Sequence, residues 1–330
     1  MKQCRVEIAH VQDSIAETLE KSLRNFSLPK KKRIFLKANI CAPKYMPGVV
    51  TTPQLLYDLV SQLRDSNEEV MVGESDGYNY LCRLALKETG IEATVKKAGG
   101  TVVNLSEDRL VEVNLRDSSV KKLLLPKTLM EADAVVDVPV MKTHEYKIYT
   151  GAIKNLFGCI PDERRIYLHP HLPEVLFQLY HILSPDLTVM DAIVAMEGNG
   201  PTAGKPVKMN LILTSDDALS VDTAATKLMG LNWRQIDYLA HVARKTGFRE
   251  ENVTLTGCRI ADHARKFELP NRDLPVEAQL QIYKSTLMTK VFFRSLKFVK
   301  VLQKVVIAYR KTANRKNPSE GLPRKPQAPS

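Results

Sequence analysis

The stretch that decides the fold runs from Val135 to Gly204. It reads VVDVPVMKTHEYKIYTGAIKNLFGCIPDERRIYLHPHLPEV (135–175), then a helical segment, then LTVMDAIVAMEGNGPTAG (187–204). Ala134 to Val140 is a near-continuous apolar run, the pattern of a strand buried on both faces. Asp137 interrupts it, and Pro139 near its end costs a ladder hydrogen bond. Lys142, Thr143 and His144 follow at the expected carboxyl edge. Leu187 to Met190 is a second apolar strand, ending in Asp191, Glu197 and a Gly198-Asn199-Gly200-Pro201 turn.

Outward from this stretch, strands alternate with helices. Strands are expected over 4–11, 34–36, 69–73, 101–105, 109–113, 121–125, 207–213 and 252–256. Helices are expected over 13–26, from Pro53, over 80–98 with a break at Gly90, from Pro173 to 183, over 218–229 after Asp216-Asp217, and over 233–246. Thr51 or Thr52 is the expected cap of the helix opened by Pro53, a favoured first-turn residue. The alternation predicts an α/β fold with a mostly parallel sheet flanked by helices. The expected organisation is an α/β domain over 1–269, a linker over 270–284, a basic amphipathic helix over 285–311 and a disordered tail over 312–330.

In open parallel sheets, ligands bind beyond the carboxyl ends of the strands. That places Lys37 and Asn39, just past the 34–36 strand, among the ligand-binding candidates. Lys142 and His144 occupy the equivalent place after Val140, and a histidine there suits acid–base work. A helix start near Thr150 puts Lys154 and Asn155 one turn in, where exposed backbone N–H groups and a lysine together attract anions. Asp191, Gly198 and Gly200 complete the expected ligand contacts, and glycine lets backbone approach a ligand closely. His144, His169, Lys142 and Glu197 are the catalytic candidates. His169 and His171, two apart in His-Pro-His, face one way if the segment is extended, so they are the metal candidates. A metal would need a third ligand from His144, Glu197 or Asp191. Each of these residues also has a plainer reading, as a solvated loop residue or a local backbone cap.

The composition excludes several classes. The formal net charge is +11, but residues 284–330 hold twelve Lys and Arg against Glu320 alone, so the first 283 residues are neutral. The high pI belongs to a tail, which argues against a whole-body nucleic-acid binder. Cys4, Cys41, Cys82, Cys159 and Cys258 are scattered, with no C-x-x-C, so no zinc ribbon and no iron–sulfur cluster is expected. Neither G-x-G-x-x-G nor a Walker A pattern occurs. No secretory core opens the chain, and no run reaches the ~18–20 apolar residues needed to span a bilayer. The expected location is cytoplasmic, with a peripheral place at the inner membrane face as an extension. Residues 285–311 read as a basic amphipathic helix suited to an anionic membrane surface or to docking on the protein itself. Its basic face lacks interleaved aromatics, against nucleic acid.

The motifs KANICAPKYMPGVVTTP (37–53), VMVGESDG (70–77), VPVMKTHEYKIYTGAIKNLFGCIP (138–161) with YLHPH (167–171), VMDAIVAMEGNGPTAGKP (189–206) and SDDALSVDTAATKLMG (215–230) resemble the family catalogued as domain of unknown function 362. The likeness covers roughly residues 33–256. It implies an α/β domain with motif residues Lys37, Asn39, Lys142, His144, Lys154, Asn155, His169, Asp191, Glu197, Gly200, Pro201 and Asp222. Many members look like iron–sulfur proteins through a fused ferredoxin-type module, which this chain lacks. A redox role would therefore need a separate partner carrying the cluster. The Lys-x-His…Gly-x-x-Lys pattern is also similar to lactate racemases that use a nickel-pincer nucleotide, implying a phosphorylated cofactor beside catalytic histidines. The leading expectation is an enzyme that binds an anionic small molecule, phosphorylated or carboxylate, with His/Lys acid–base chemistry and a divalent metal or phosphorylated cofactor as options. The alternative is a membrane-peripheral binding or scaffold protein without catalysis.

Overall fold

The computed structural model describes residues 3–27, 30, 32–77, 80–161 and 163–294. Two compact units divide the chain, Met1–Arg272 and Asp273–Ser330. The first is the expected α/β fold. Its strands are β1 (Cys4–His10), β2 (Arg33–Ala38), β3 (Glu69–Glu74), β4 (Thr101–Asn104), β5 (Leu110–Asn114), β6 (Lys122–Pro126), β7 (Ala134–Val138), β8 (Val140–His144), β9 (Ile148–Thr150), β10 (Leu187–Glu197), β11 (Lys205–Ser215) and β12 (Val253–Gly257). The main sheet runs β12-β1-β11-β10-β7-β2-β3-β4, with β8 attached to β10 and β9 to β8, while β5 and β6 form a separate hairpin. All pairings on the β10-to-β4 side are parallel; β11 is antiparallel to both β1 and β10.

Strand alternation puts helices on both faces. Phe35, Met71, Val135, Met190 and Leu213 pack on one side with helices Leu172–Leu183, Ala218–Leu228 and Asp237–Thr246. Ile34, Leu36, Val70, Val72, Val136, Val189 and Ile212 pack on the other with helices Ile15–Leu23, Pro53–Arg64 and Cys82–Glu88. Each side chain points opposite to its neighbour, so one strand feeds two cores.

Several boundaries differ from expectation, each for a local reason. The 134–140 run is two strands, broken at Pro139, which has no N–H to give. β7 stays between β2 and β10, whereas β8 pairs further along β10, with Asp191 opposite Val140 and Met196 opposite Lys142. Lys142 and His144 therefore lie inside a buried strand, not in a loop beyond one. β10 and β11 run well past 190 and before 207, as one long hairpin that carries Glu197. The 80–98 segment divides as expected, into Cys82–Glu88 and Ile91–Lys97 around Gly90 at φ 77°.

The second unit contains helix Leu274–Tyr283, capped by Asp273, in the segment expected to be a linker. A second helix, Thr286–Phe292, is capped by Ser285 and ends at Phe293, within the stretch expected to be one helix over 285–311. The remainder of that expected helix and the expected tail, from 295 on, lie outside the described residues. No helix among the described residues is long and apolar enough to cross a membrane.

Candidate functional site

The carboxyl ends of β2 and β3, all of β8 and the 151–171 segment converge on a buried polar centre. At its base is the Lys37–Glu74 ion pair, 2.6 Å apart and closed to solvent; Lys37 also donates to the Ala38 carbonyl at 2.8 Å. Beside it, the Asn155 amide donates to Asp137 Oδ1 at 2.7 Å and accepts from Asn39 Nδ2 at 2.8 Å. The Asn39 carbonyl oxygen accepts in turn from the Lys142 ammonium, which also donates to the Val49 carbonyl at 2.7 Å and lies 3.1 Å from Cys41 Sγ. Lys37, Asn39, Lys142 and Asn155 are thus brought together as expected, but as one interlocked network. Every donor on Lys142 is in use, so it contributes charge more readily than a direct ligand contact. Among the described residues Asp137 Oδ2 has no hydrogen-bond partner, and burial pushes this carboxyl well above the usual range.

Lys154, His144 and His169 feel one another and Lys142 electrostatically. His144, at the end of β8, is buried, and its Nδ1 accepts the Tyr146 N–H at 3.1 Å. Burial, reinforced by Lys154, His169, Lys142 and Lys147, holds its pKa well below the ordinary histidine value. His144 is therefore neutral, with its proton on Nε2. His169 has the complementary form. Its Nδ1 donates to the Ile166 carbonyl at 2.9 Å, and burial followed by the charge of Lys154 lowers its pKa to about 3. Its basic lone pair is on Nε2. One ring thus carries its proton on Nε2 and the other on Nδ1.

Lys154 lies in the short helix Ala152–Asn155. Among the described residues, its ammonium has no hydrogen-bond or ion-pair partner. Burial, then Lys142, with Lys147 and Arg165 adding to it, brings its pKa down to about 7, against a smaller opposing influence of Cys41. Arg165 donates from its guanidinium to Ser75 Oγ at 2.7 Å and to the Asp76 and Ile160 carbonyls at 2.6 and 3.1 Å. Lys147, in the β8–β9 turn, is paired with Asp237. Ile148, which follows, holds φ 67°, a strained value for a β-branched residue.

Other expected residues lie elsewhere or act differently. The helix start at 152 does not offer its N–H groups to a ligand. Asp222 accepts from the Ala152 N–H at 2.7 Å, the Ile153 N–H at 2.9 Å and the Tyr149 hydroxyl at 2.8 Å. Asp191 accepts the Thr52 N–H at 2.7 Å, just before the helix opened by Pro53, and the Ile193 N–H at 3.1 Å. Thr52 is the N-cap residue, as expected, but its side chain makes no capping hydrogen bond. Glu197 accepts the Glu268 N–H at 3.1 Å and is 3.9 Å from Arg265, so its carboxylate serves the 265–268 segment rather than the histidines. Gly200 packs on β8: a Cβ there would fall 2.1 Å from the Thr143 carbonyl oxygen. Gly198, at φ 75°, turns the chain and accepts from Thr143 Oγ1 at 2.8 Å.

His169 and His171 are in a 3₁₀ segment, Glu163–His171, not an extended one. With three residues per turn, positions two apart point in different directions. His171 accordingly meets Ser119 Oγ at 3.1 Å. No group of three His, Cys, Asp or Glu among the described residues is placed to hold a metal.

Sequence reasoning missed Cys41 and Arg165. Cys41 follows Asn39 by two residues in KANIC, so its side chain could have been placed on the same face. Arg165 carried no signal beyond its basic neighbourhood in ERR.

Three comparisons place the chain among known proteins. The family model described as "Domain of unknown function (DUF362)" matches residues 34–227. A thylakoid-associated protein of Synechocystis sp. is 26% identical over 252 residues, covering 74% of this chain and 76% of that protein. Among solved structures, the lactate racemase apoprotein from Thermoanaerobacterium thermosaccharolyticum has a TM-score of 0.46 at 12% identity, covering 70% of this chain and 58% of that one. A protein from Thermotoga maritima has a TM-score of 0.38 at 13% identity, covering 58% and 52%. The chain thus spans little more than half of either solved protein. It belongs to the DUF362 family.

Proposed function

We propose that this DUF362 chain is an enzyme that binds an anionic small molecule, phosphorylated or carboxylate, above the Lys142–Asn39–Asn155 network and acts on it by acid–base chemistry. The observation that carries this reading is the Lys154 ammonium, unpartnered among the described residues and influenced by the like charges of Lys142 and Arg165. Uncompensated positive charge in a low-dielectric site costs stability unless an anion completes it. A bound anion offsets that cost, and the site selects for one. His169 Nε2 accepts a proton from the ligand, and His144 Nε2–H hydrogen-bonds an oxygen on which negative charge develops. Lys142 and Arg165, already fixed by their own hydrogen bonds, hold the field steady during the reaction.

Titration calorimetry with phosphate, pyrophosphate and oxalate tests the reading. Saturable binding in the native chain, lost in Lys154→Met with the fold intact by circular dichroism, is the expected result. No heat with any of the three anions would sink it.

A second reading concerns location and is supported by the second unit. Leu274 is 73% exposed, Leu287 72%, Met288 51% and Val291 67%. They accompany the +11 surplus of residues 284–330. Apolar side chains beside lysines and arginines suit an anionic bilayer surface, and a relative is named for thylakoid association. Cosedimentation with phosphatidylglycerol vesicles but not phosphatidylcholine vesicles is expected, and Leu287→Glu/Val291→Glu should abolish it. Equal partitioning to both vesicle types, or an unaffected double variant, would remove this reading.

A further inference from the structure

The turn between β8 and β9 is held under strain beside the site. Ile148 has φ 67°, and the Tyr149 N–H donates back across it to the Lys147 carbonyl at 2.7 Å. A bond that spans one residue at positive φ is a γ-turn of the rare, strained kind, and a β-branched side chain makes it costlier. On either side of 145–148 the chain is clamped. Thr143 Oγ1 donates to the Gly198 carbonyl at 2.8 Å, and the buried Tyr149 hydroxyl donates to Asp222 at 2.8 Å. Within the turn, the contacts that hold it down include the Lys147–Asp237 ion pair at 2.5 Å, whose aspartate is half-exposed, and the Glu145 N–H on the Gly200 carbonyl at 2.9 Å. The turn also grips the site itself. The Tyr146 N–H donates to His144 Nδ1 at 3.1 Å, and the two rings lie 5.7 Å apart.

We propose that residues 145–148 form a strap that opens and closes over His144, with Ile148 as its hinge and the Lys147–Asp237 pair as its latch. This rests on the reading of the site above and says how its ligand enters. Lys142, Asn155 and His144 are all closed to solvent, so a ligand that meets them passes an element that moves. Backbone strain persists only where the surroundings over-determine it, and it favours the state that releases it. Opening relaxes Ile148 to negative φ. Closing restores the ion pair and the bond from Tyr146 to His144. Because these terms oppose one another, neither state is far above the other. In the closed state the Tyr146 N–H occupies the Nδ1 lone pair and fixes the imidazole proton on Nε2. In the open state both ring nitrogens meet water. The strap thus couples entry of the ligand to the setting of the His144 tautomer.

The probe is diethyl pyrocarbonate, which acylates accessible neutral imidazole, added to the full-length protein at pH 7. Peptide mass mapping reads the rate at His144 against that at exposed His181. Thermal melts of each protein set the labelling temperature below global unfolding. Ile148→Gly, for which φ 67° carries no strain, should slow His144 about fivefold by favouring the closed strap. Lys147→Met, which removes a latch with one half-exposed partner, should speed it about twofold. The double variant should fall between the two. Equal His144 rates in the native chain and both single variants would overturn the strap. A rate raised by Ile148→Gly would overturn it too, since lost packing and not relieved strain would then govern access. Calorimetry with phosphate on the same proteins keeps the two readings apart. Phosphate binding with no change in the His144 rates removes the strap and leaves the anion site standing. Opposite rate changes in the two single variants, with no phosphate binding, support the strap and remove the anion site.

Discussion

The Lys142 ammonium lies 3.1 Å from the sulfur of Cys41, and Lys142 is closed to solvent while Cys41 is partly open to it. This contact ties the loop after β2 to the centre of β8 and puts a thiol at the rim of the cationic cluster. Cys82 and Cys159 are fully buried, and burial pushes the Cys159 thiol up to about 12 and that of Cys82 higher still. Iodoacetamide at pH 8 should therefore modify Cys41 well before either of them. Sulfate should slow the modification, because an anion in the cluster covers that thiol. Mass mapping over time checks both statements. Unchanged Cys41 reactivity at saturating sulfate would place the anion elsewhere.

The Lys37–Glu74 pair makes a prediction about stability. Both groups are buried at 2.6 Å, so removing one charge strands the other in an apolar surrounding. Glu74→Gln should cost about 3–5 kcal/mol in urea denaturation. The double variant Lys37→Met/Glu74→Leu should cost less than Glu74→Gln alone, since no uncompensated charge remains. A double variant as unstable as the sum of its parts would show that the pair itself, not its isolation, is what matters.

Gly198 and Gly200 are two apart in one turn but differ in what they tolerate. A Cβ on Gly200 would sit 2.1 Å from the Thr143 carbonyl oxygen, against backbone that cannot yield cheaply. Gly200→Ala should displace β8 and cost about 2–3 kcal/mol. Gly198 has open space around it, and its requirement is φ 75° alone, so Gly198→Ala should cost about 1 kcal/mol. Thermal unfolding of the two single variants gives the comparison. The effect on anion binding should follow the same order, because β8 carries Lys142 and His144.

These glycines also show what the sequence made legible. Glycines in a turn beside an apolar strand mark a close approach, and the structure puts Gly200 against β8. Strand–helix alternation was readable because one side chain per residue shows both the period and the number of buried faces. Lys37, Asn39, Lys142, His144, Lys154, Asn155 and His169 could be picked out because each follows, ends or flanks an apolar run. What could not be read were partners far apart in the chain. Asp222 closes the helix start at 152 from seventy residues away, so a free N-terminus was expected where none exists. Asp191 and Glu197 have the chemistry of catalytic carboxylates but accept backbone N–H groups whose positions depend on the whole sheet. His-Pro-His was ambiguous because an extended and a 3₁₀ segment carry the same letters while turning the second histidine differently.

Lys154 gives the most discriminating pH dependence. Its pKa in the folded chain is about 7, against about 10.4 when exposed to water in the unfolded chain. Between these values the unfolded state binds more protons, so this residue makes the protein more stable as pH rises from 7 toward 10, and its penalty is fully present below 7. Anion binding has the opposite slope, because the ammonium form attracts the anion and is lost through pH 7. Sulfate, which keeps its charge throughout, should bind about tenfold more tightly at pH 6 than at pH 8, the ratio of the protonated fractions. Lys154→Arg, charged at both pH values, should bind sulfate with nearly equal affinity at each. Lys154→Met should lose the sulfate affinity and also flatten the stability profile above pH 7. Calorimetry and thermal melts at pH 6, 7 and 8 on the three proteins separate these outcomes. Equal sulfate affinity at pH 6 and 8 in the native chain would mean that Lys154 keeps its proton over this range or takes no part in holding the anion.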